Sequence, residues 1–142
     1  MSWSQRTFKL TSRSKGCYLV TDEVLAHTGD LIRDYKVGMV NLFMQHTSAG
    51  LTLNENWDSD VREDMSDALG RIAPEGTMYR HNAEGDDDMP AHVRSTLVGN
   101  SVNIPIKDGK LALGMWQGIW LCEFRRHHHV RTIVATIQGE KK

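Results

Sequence analysis

The chain has 142 residues, of which 39% are apolar and 25% charged, and its net charge is −1 with histidine neutral. That fits one domain, residues 1–142, around a single core, and excludes a disordered chain. The even charge balance offers no global basic field for nucleic acid or an anionic membrane, and no apolar run reaches the roughly 20 residues of a membrane helix.

The opening MSWSQRTFKL lacks the apolar stretch of a secretory signal, so the cytoplasm is the expected location. From Phe8 to Val20, short β-prone runs broken by Ser14-Lys15-Gly16 read as a hairpin. Cys17 and Cys122 form no CxxC pair and read as reduced, buried thiols. Asp22 is placed to cap a helix through Tyr35, with Val24, Leu25, Leu31 and Ile32 on its apolar side. Val40, Leu42 and Met44 alternate as a strand, and His46 continues their parity. After the turn Thr47-Ser48-Ala49-Gly50, Leu51 to Asn54 resumes β character. Val61, Met65, Ala68, Leu69 and Ile72 fall at helical spacing, with Asp58 or Ser59 as N-cap. A further helix from Met89 to Val98 would take Asp88 as its N-cap, with Pro90 in its first turn and Gly99 beyond its end.

Asp108-Gly109, between VNIPI and KLAL, is the strongest hairpin signal in the chain. Trp116, Trp120, Cys122 and Phe124 share one parity, as do Ile133, Ala135 and Ile137, and a histidine-rich segment joins these last two strands. The order of about seven or eight strands and two or three helices indicates an α+β fold, mostly antiparallel with a partly sandwiched sheet. So many strands in so short a chain leave edges and faces that a symmetric oligomer would cover.

Three segments carry residue types suited to chemistry. HNAEGDDDMPAH sets His81 and His92 around Glu84 and Asp86 to Asp88, a donor set fitting Zn²⁺, Mn²⁺ or Mg²⁺. The competing reading is a solvated acidic loop in which Asp88 caps a helix. QHTSAGLTLNEN places His46 beside Thr47 and Ser48 at a turn whose N–H groups suit phosphate. The plain alternative is an end-of-strand histidine satisfied by backbone. WQGIWLCEFRRHHHVR gathers Glu123, Arg125, Arg126, Arg131 and three imidazoles, a cationic patch suited to phosphate or diphosphate. Here the alternative is an exposed loop with no ligand, and Trp116 and Trp120 are expected in the core. Neither a P-loop, nor a Rossmann glycine motif, nor a GxSxG elbow is present.

Taken together, QHTSAGLTLNENWDSDVREDM, HNAEGDDDMPAH and WQGIWLCEFR…R…ATIQGE closely resemble the YjbQ family, whose members are described as secondary thiamine-phosphate synthases. The match runs from SRSKGCYLVTDEV to the final QGE. The resemblance implies a homotrimer with sites near subunit boundaries and a histidine-rich cleft holding a metal ion or a phosphate-like anion. It implies His46, Glu84, Glu123 and His127 as catalytic residues. Thr47, Ser48, Gln117, Arg125 and Arg131 would bind phosphate, and His46, His81, His92 and Asp87 would ligate a divalent metal. That metal would be Mg²⁺ for synthase chemistry, or Zn²⁺ or Mn²⁺ at the histidines. The partners expected are a small phosphorylated metabolite and other copies of the chain. Relatives tend to carry histidine at the place of Phe124, threonine at Met115 and glycines at His128 and His129, so the C-terminal loop differs in shape and charge. The expected reaction joins a hydroxymethylpyrimidine diphosphate to a thiazole phosphate with release of diphosphate. The alternatives are a metal-dependent hydrolase, and a non-enzymatic binder of a phosphorylated metabolite or metal.

Overall fold

The computed structural model describes residues 1–142. In chain order the elements are β1 (Ser2–Lys9), β2 (Gly16–Leu19), α1 (Thr21–Ile32), β3 (Tyr35–Met44), β4 (Ala49–Glu55), α2 (Ser59–Ile72), α3 (Asp88–Val98), β5 (Ser101–Lys107), β6 (Lys110–Leu111), β7 (Gln117–Glu123) and β8 (Thr132–Lys141). Two sheets result, one in the order β1-β8-β3-β5-β6 and one in the order β2-β7-β4. Every strand pairing is antiparallel.

The period-two patterns decide which faces meet. Val40, Leu42 and Met44 of β3, Ile104 and Ile106 of β5, and Ile133, Ala135 and Ile137 of β8 turn inward from the large sheet. Ala49 and Leu51 of β4 and Ile119 and Leu121 of β7 meet them from the small sheet. Each large aliphatic side chain removed from water here contributes about 1.5–3 kcal/mol. The alternate residues of β7, Trp120 and Cys122, and Phe124 beyond them, point the other way. They form a second core with Leu69 of α2 and Ala91 of α3. The small sheet is therefore covered on both faces, which is why β7 is buried from Gly118 to Glu123. The hairpin expected at Asp108-Gly109 is present, with Lys107 opposite Lys110 and positive φ at both turn residues.

Other expectations require correction. Phe8 to Val20 is no hairpin: β1 pairs with β8 and β2 with β7, in different sheets. Helix α1 starts at Thr21 without a side-chain cap and ends at Ile32. Of the two N-cap candidates for α2, Asp58 takes the position, accepting a bond from the Asp60 N–H as expected. The N-cap position of α3 is Asp87, and no side chain caps that helix. Asp88 is thus the first helical residue, and its carboxylate is directed elsewhere.

The C-terminal end of α3 is pressed against β4. A Cβ at Gly50 would lie 2.7 Å from Val98 Cγ1 and 3.0 Å from the Gly99 carbonyl oxygen. Gly99 then leaves the helix at φ 90°, a region that favours glycine. Ser95 Oγ donates to the Ala49 carbonyl at 2.7 Å, so α3 is fixed against the turn that follows β3.

Candidate functional site

Asp88 and His92 stand four residues apart on α3 and so share one face. The loop before α3 brings His81 to the same place. Asp88 Oδ2 lies 2.6 Å from His81 Nε2 and 3.2 Å from His92 Nε2. One donor atom from each residue falls within 4.8 Å of the other two.

His92 Nδ1 is 2.9 Å from the Thr47 carbonyl oxygen. A carbonyl only accepts, so Nδ1 carries the proton and Nε2 is the ring nitrogen turned toward Asp88. Ligating histidines are commonly oriented in this way, by an outer carbonyl that fixes the tautomer. His81 is about half exposed and His92 less so, whereas the Asp88 side chain is only 2% exposed.

Arg125 holds the opposite side of the carboxylates. Its Nη1 donates to Asp88 Oδ1 at 2.8 Å, its Nε to Asp87 Oδ2 at 3.1 Å and its Nη2 to the Glu84 carbonyl at 3.0 Å. The Arg126 N–H adds a bond of 2.9 Å to Asp87 Oδ2. Burial would raise the Asp88 carboxyl pKa. The hydrogen bond from His81, with His92 and the Arg125 guanidinium nearby, nevertheless holds it below its ordinary value. Asp87 is likewise held low, burial being outweighed by the Arg126 N–H and by Arg125. Both carboxylates stay ionised, as metal ligation requires.

The metal set expected from the sequence is therefore rearranged. His81 and His92 converge, but the carboxylate facing them is Asp88, while Asp87 is bound to the two arginines. His46 stands outside the triad, its Nε2 accepting the Thr132 N–H at 2.8 Å. Burial, helped by the positive charge of Arg131, lowers the His46 pKa and keeps the ring neutral. Its proton is then on Nδ1. His46 does join His92 on one cavity of about 270 Å³, with Thr47, Ser95, Thr96, Gly99 and Asn100 completing a wholly polar or glycine lining.

Glu123 and Arg131 form a buried bidentate pair, with Nε to Oε1 and Nη2 to Oε2 both 2.6 Å. The N–H groups of Phe124 and Arg125 also bond Glu123 Oε2, at 2.9 and 3.1 Å. Arg131 Nη2 further donates to the Ser48 carbonyl and hydroxyl. All three residues are less than a tenth exposed, so they brace the turn that carries Thr47 and His46. Thr47 is exposed at the cavity.

Gln117 begins the strand that Glu123 ends, so about 20 Å of extended chain separates it from the site within one subunit. The Glu84 side chain and His127 are exposed, and the His127 carbonyl accepts a bond from His129 Nδ1. Phe124 is in the core, Met115 is exposed, and His129 is joined by backbone to Arg13. Trp120 is buried as expected, but Trp116 is 58% exposed and meets the exposed Trp57 edge to face.

A family model described as "UPF0047 protein YjbQ-like" matches residues 6–140. The UPF0047 protein YjbQ of Escherichia coli O157:H7 is 47% identical over 138 residues, covering 97% of this chain and 99% of that protein. The UPF0047 protein MJ1081 of Methanocaldococcus jannaschii is 43% identical over 102 residues, covering 69% of this chain and 72% of that protein. Among solved structures, a YbjQ-like protein of unknown function from Sulfolobus solfataricus P2 superposes with a TM-score of 0.85. It shares 24% identity and covers 98% of this chain and 99% of that one, a likeness of fold. A YjbQ/UPF0047 family protein from Clostridium acetobutylicum gives a TM-score of 0.74 at 33% identity, covering 92% of this chain and 97% of that one.

Proposed function

The chain belongs to the YjbQ-like UPF0047 family, and from that premise we propose that it is a metal-dependent enzyme acting on a small phosphorylated metabolite. The observation that carries the reading is the His81–Asp88–His92 triad, with His92 oriented by the Thr47 carbonyl. Two imidazoles and one carboxylate are a common donor set for Zn²⁺ and related ions, and leave positions for substrate or water. When bound there, a divalent ion would supply positive charge to neutralise a phosphoryl or diphosphoryl group. Arg125 holds Asp87 and Asp88 ionised and in place. His46 Nδ1–H, Thr47, Ser95, Thr96 and Asn100 offer polar contacts in the adjoining cavity.

The reaction we propose is the condensation of a hydroxymethylpyrimidine diphosphate with a thiazole phosphate. The thiazole nitrogen lone pair forms the new C–N bond as the C–O bond breaks, and diphosphate leaves with the electron pair. The chain contributes charge and position, and no covalent nucleophile is required. Rescue of a thiamine-requiring host lacking its main synthase tests this reading. Growth is expected, and failure to grow with folded protein present sinks it. A second reading is hydrolysis of a phosphorylated substrate, favoured by a triad that leaves room for water. Phosphate release without a joined product would support that reading over the first.

The proposed form is a homotrimer. The outward face of the large sheet carries Trp3, Met39 and Phe43, at 65%, 44% and 43% exposure, and no helix covers it. Light scattering that returns the mass of one chain would remove this part of the reading.

A further inference from the structure

The small sheet carries a pair of thiols outside the triad. Cys17 of β2 and Cys122 of β7 are directly opposed in register, and their sulfurs are 3.5 Å apart. The Val20 N–H donates to the Ile119 carbonyl, which marks Val20 and Ile119 as a hydrogen-bonded pair. Alternation along the ladder then makes Cys17 and Cys122 a non-hydrogen-bonded pair. Cα atoms in such pairs lie about 4.5 Å apart, at the short end of the range a disulfide spans. The two sulfurs have only to rotate toward each other.

The surroundings of the two thiols differ. Cys122 is fully buried within the second core. Cys17 is half-buried and lines a cleft of about 320 Å³ with Lys15, Gly16, Tyr18, Arg62, Glu63, Ser66 and Asp67. Arg62 Nη1 is buried with no hydrogen-bond partner, so a cationic group with unused donor capacity stands in the cleft beside the thiol. We propose that Cys17 and Cys122 are a redox pair that closes reversibly into a cross-strand disulfide, with Cys17 as the thiol that attacks a peroxide entering the cleft.

The steps balance. The Cys17 thiolate attacks one oxygen of hydrogen peroxide, the O–O bond breaks, and sulfenic acid and hydroxide form. Cys122 sulfur then attacks the Cys17 sulfur, the S–O bond breaks, and water leaves carrying the Cys122 proton. The hydrogen bond between the two thiols, aided by Arg62, lowers the Cys17 pKa, while the same bond and burial raise that of Cys122. The sulfur that reaches the cleft is therefore the attacking one and the buried sulfur resolves it.

The test exposes the reduced, full-length protein to hydrogen peroxide at a dose that fully oxidises glutathione in the same tube. Intact mass and alkylation of thiols are then read. The expected result is a loss of two hydrogen atoms per chain, simultaneous loss of both alkylatable thiols, and recovery of both with dithiothreitol. Cys122→Ser is expected to gain oxygen on Cys17 instead, and Arg62→Ala to slow closure several-fold. Both thiols surviving in the wild type, oxygen addition at Cys17 with Cys122 still reduced, or linkage only between chains would each overturn the proposal.

Discussion

His92 donates its Nδ1–H to the Thr47 carbonyl at 2.9 Å, and this bond joins helix α3 to the turn after β3. Because the acceptor is a main-chain oxygen, the tautomer of His92 is set by the fold. Nε2 is then the nitrogen that faces Asp88, and the position of the turn becomes part of the candidate metal site. That turn is itself held by the buried Arg131 through Ser48.

Arg131 therefore has a structural role that can be measured. Removing one member of a buried ion pair leaves the other uncompensated, at a cost of about 3–5 kcal/mol. Arg131→Met and Glu123→Leu should each lose this much in urea unfolding, while the double substitution should recover much of the loss. Additive losses would show that the two residues act independently.

Asp87 and Asp88 both have carboxyl pKa values below the ordinary range. A depressed acid contributes stability that is fully present above its unfolded value, about 3.9, and lost as pH falls through the folded value. Asp87→Asn should thus destabilise the protein near neutral pH, with the difference from wild type shrinking in acid below about pH 4. Equal destabilisation across a series of unfolding curves from pH 7 to pH 3 would contradict this.

His46 gives a separate pH dependence. Its pKa is also depressed, so its contribution is present above the unfolded value of about 6.5 and is lost as pH falls through the folded value. His46→Ala removes the acceptor of the Thr132 N–H. It should cost about 1–3 kcal/mol at pH 8, and less at pH 5, where the wild type has already lost part of that contribution. Thermal unfolding of both proteins at the two pH values would show it, and a gap that widens in acid would refute it.

Where the sequence was readable, short-range chemistry explains why. Asp108-Gly109 needs positive φ at two adjacent positions, and few dipeptides supply that. The alternation of Ile133, Ala135 and Ile137 gave the inner face of β8 because period two is a local property. The site was harder to read. His81 and His92 were visible as a pair, but three consecutive aspartates give no sign of which one faces the imidazoles, since Asp87 and Asp88 are both buried. That depended on Arg125, some forty residues away, drawing Asp87 aside. The Phe8–Val20 hairpin failed because the two strands join different sheets, and the Cys17–Cys122 pairing was hidden for the same reason.

The measurement that bears most directly on the account is calorimetric titration of Zn²⁺ into tag-free protein, run beside His92→Ala, Asp88→Asn and a His127→Ala/His128→Ala control. One ion per chain is expected for the wild type and the control, with that binding lost in His92→Ala and Asp88→Asn. A wild type that takes up no zinc, or the two site variants binding it as tightly as the wild type, would contradict the triad as a metal centre.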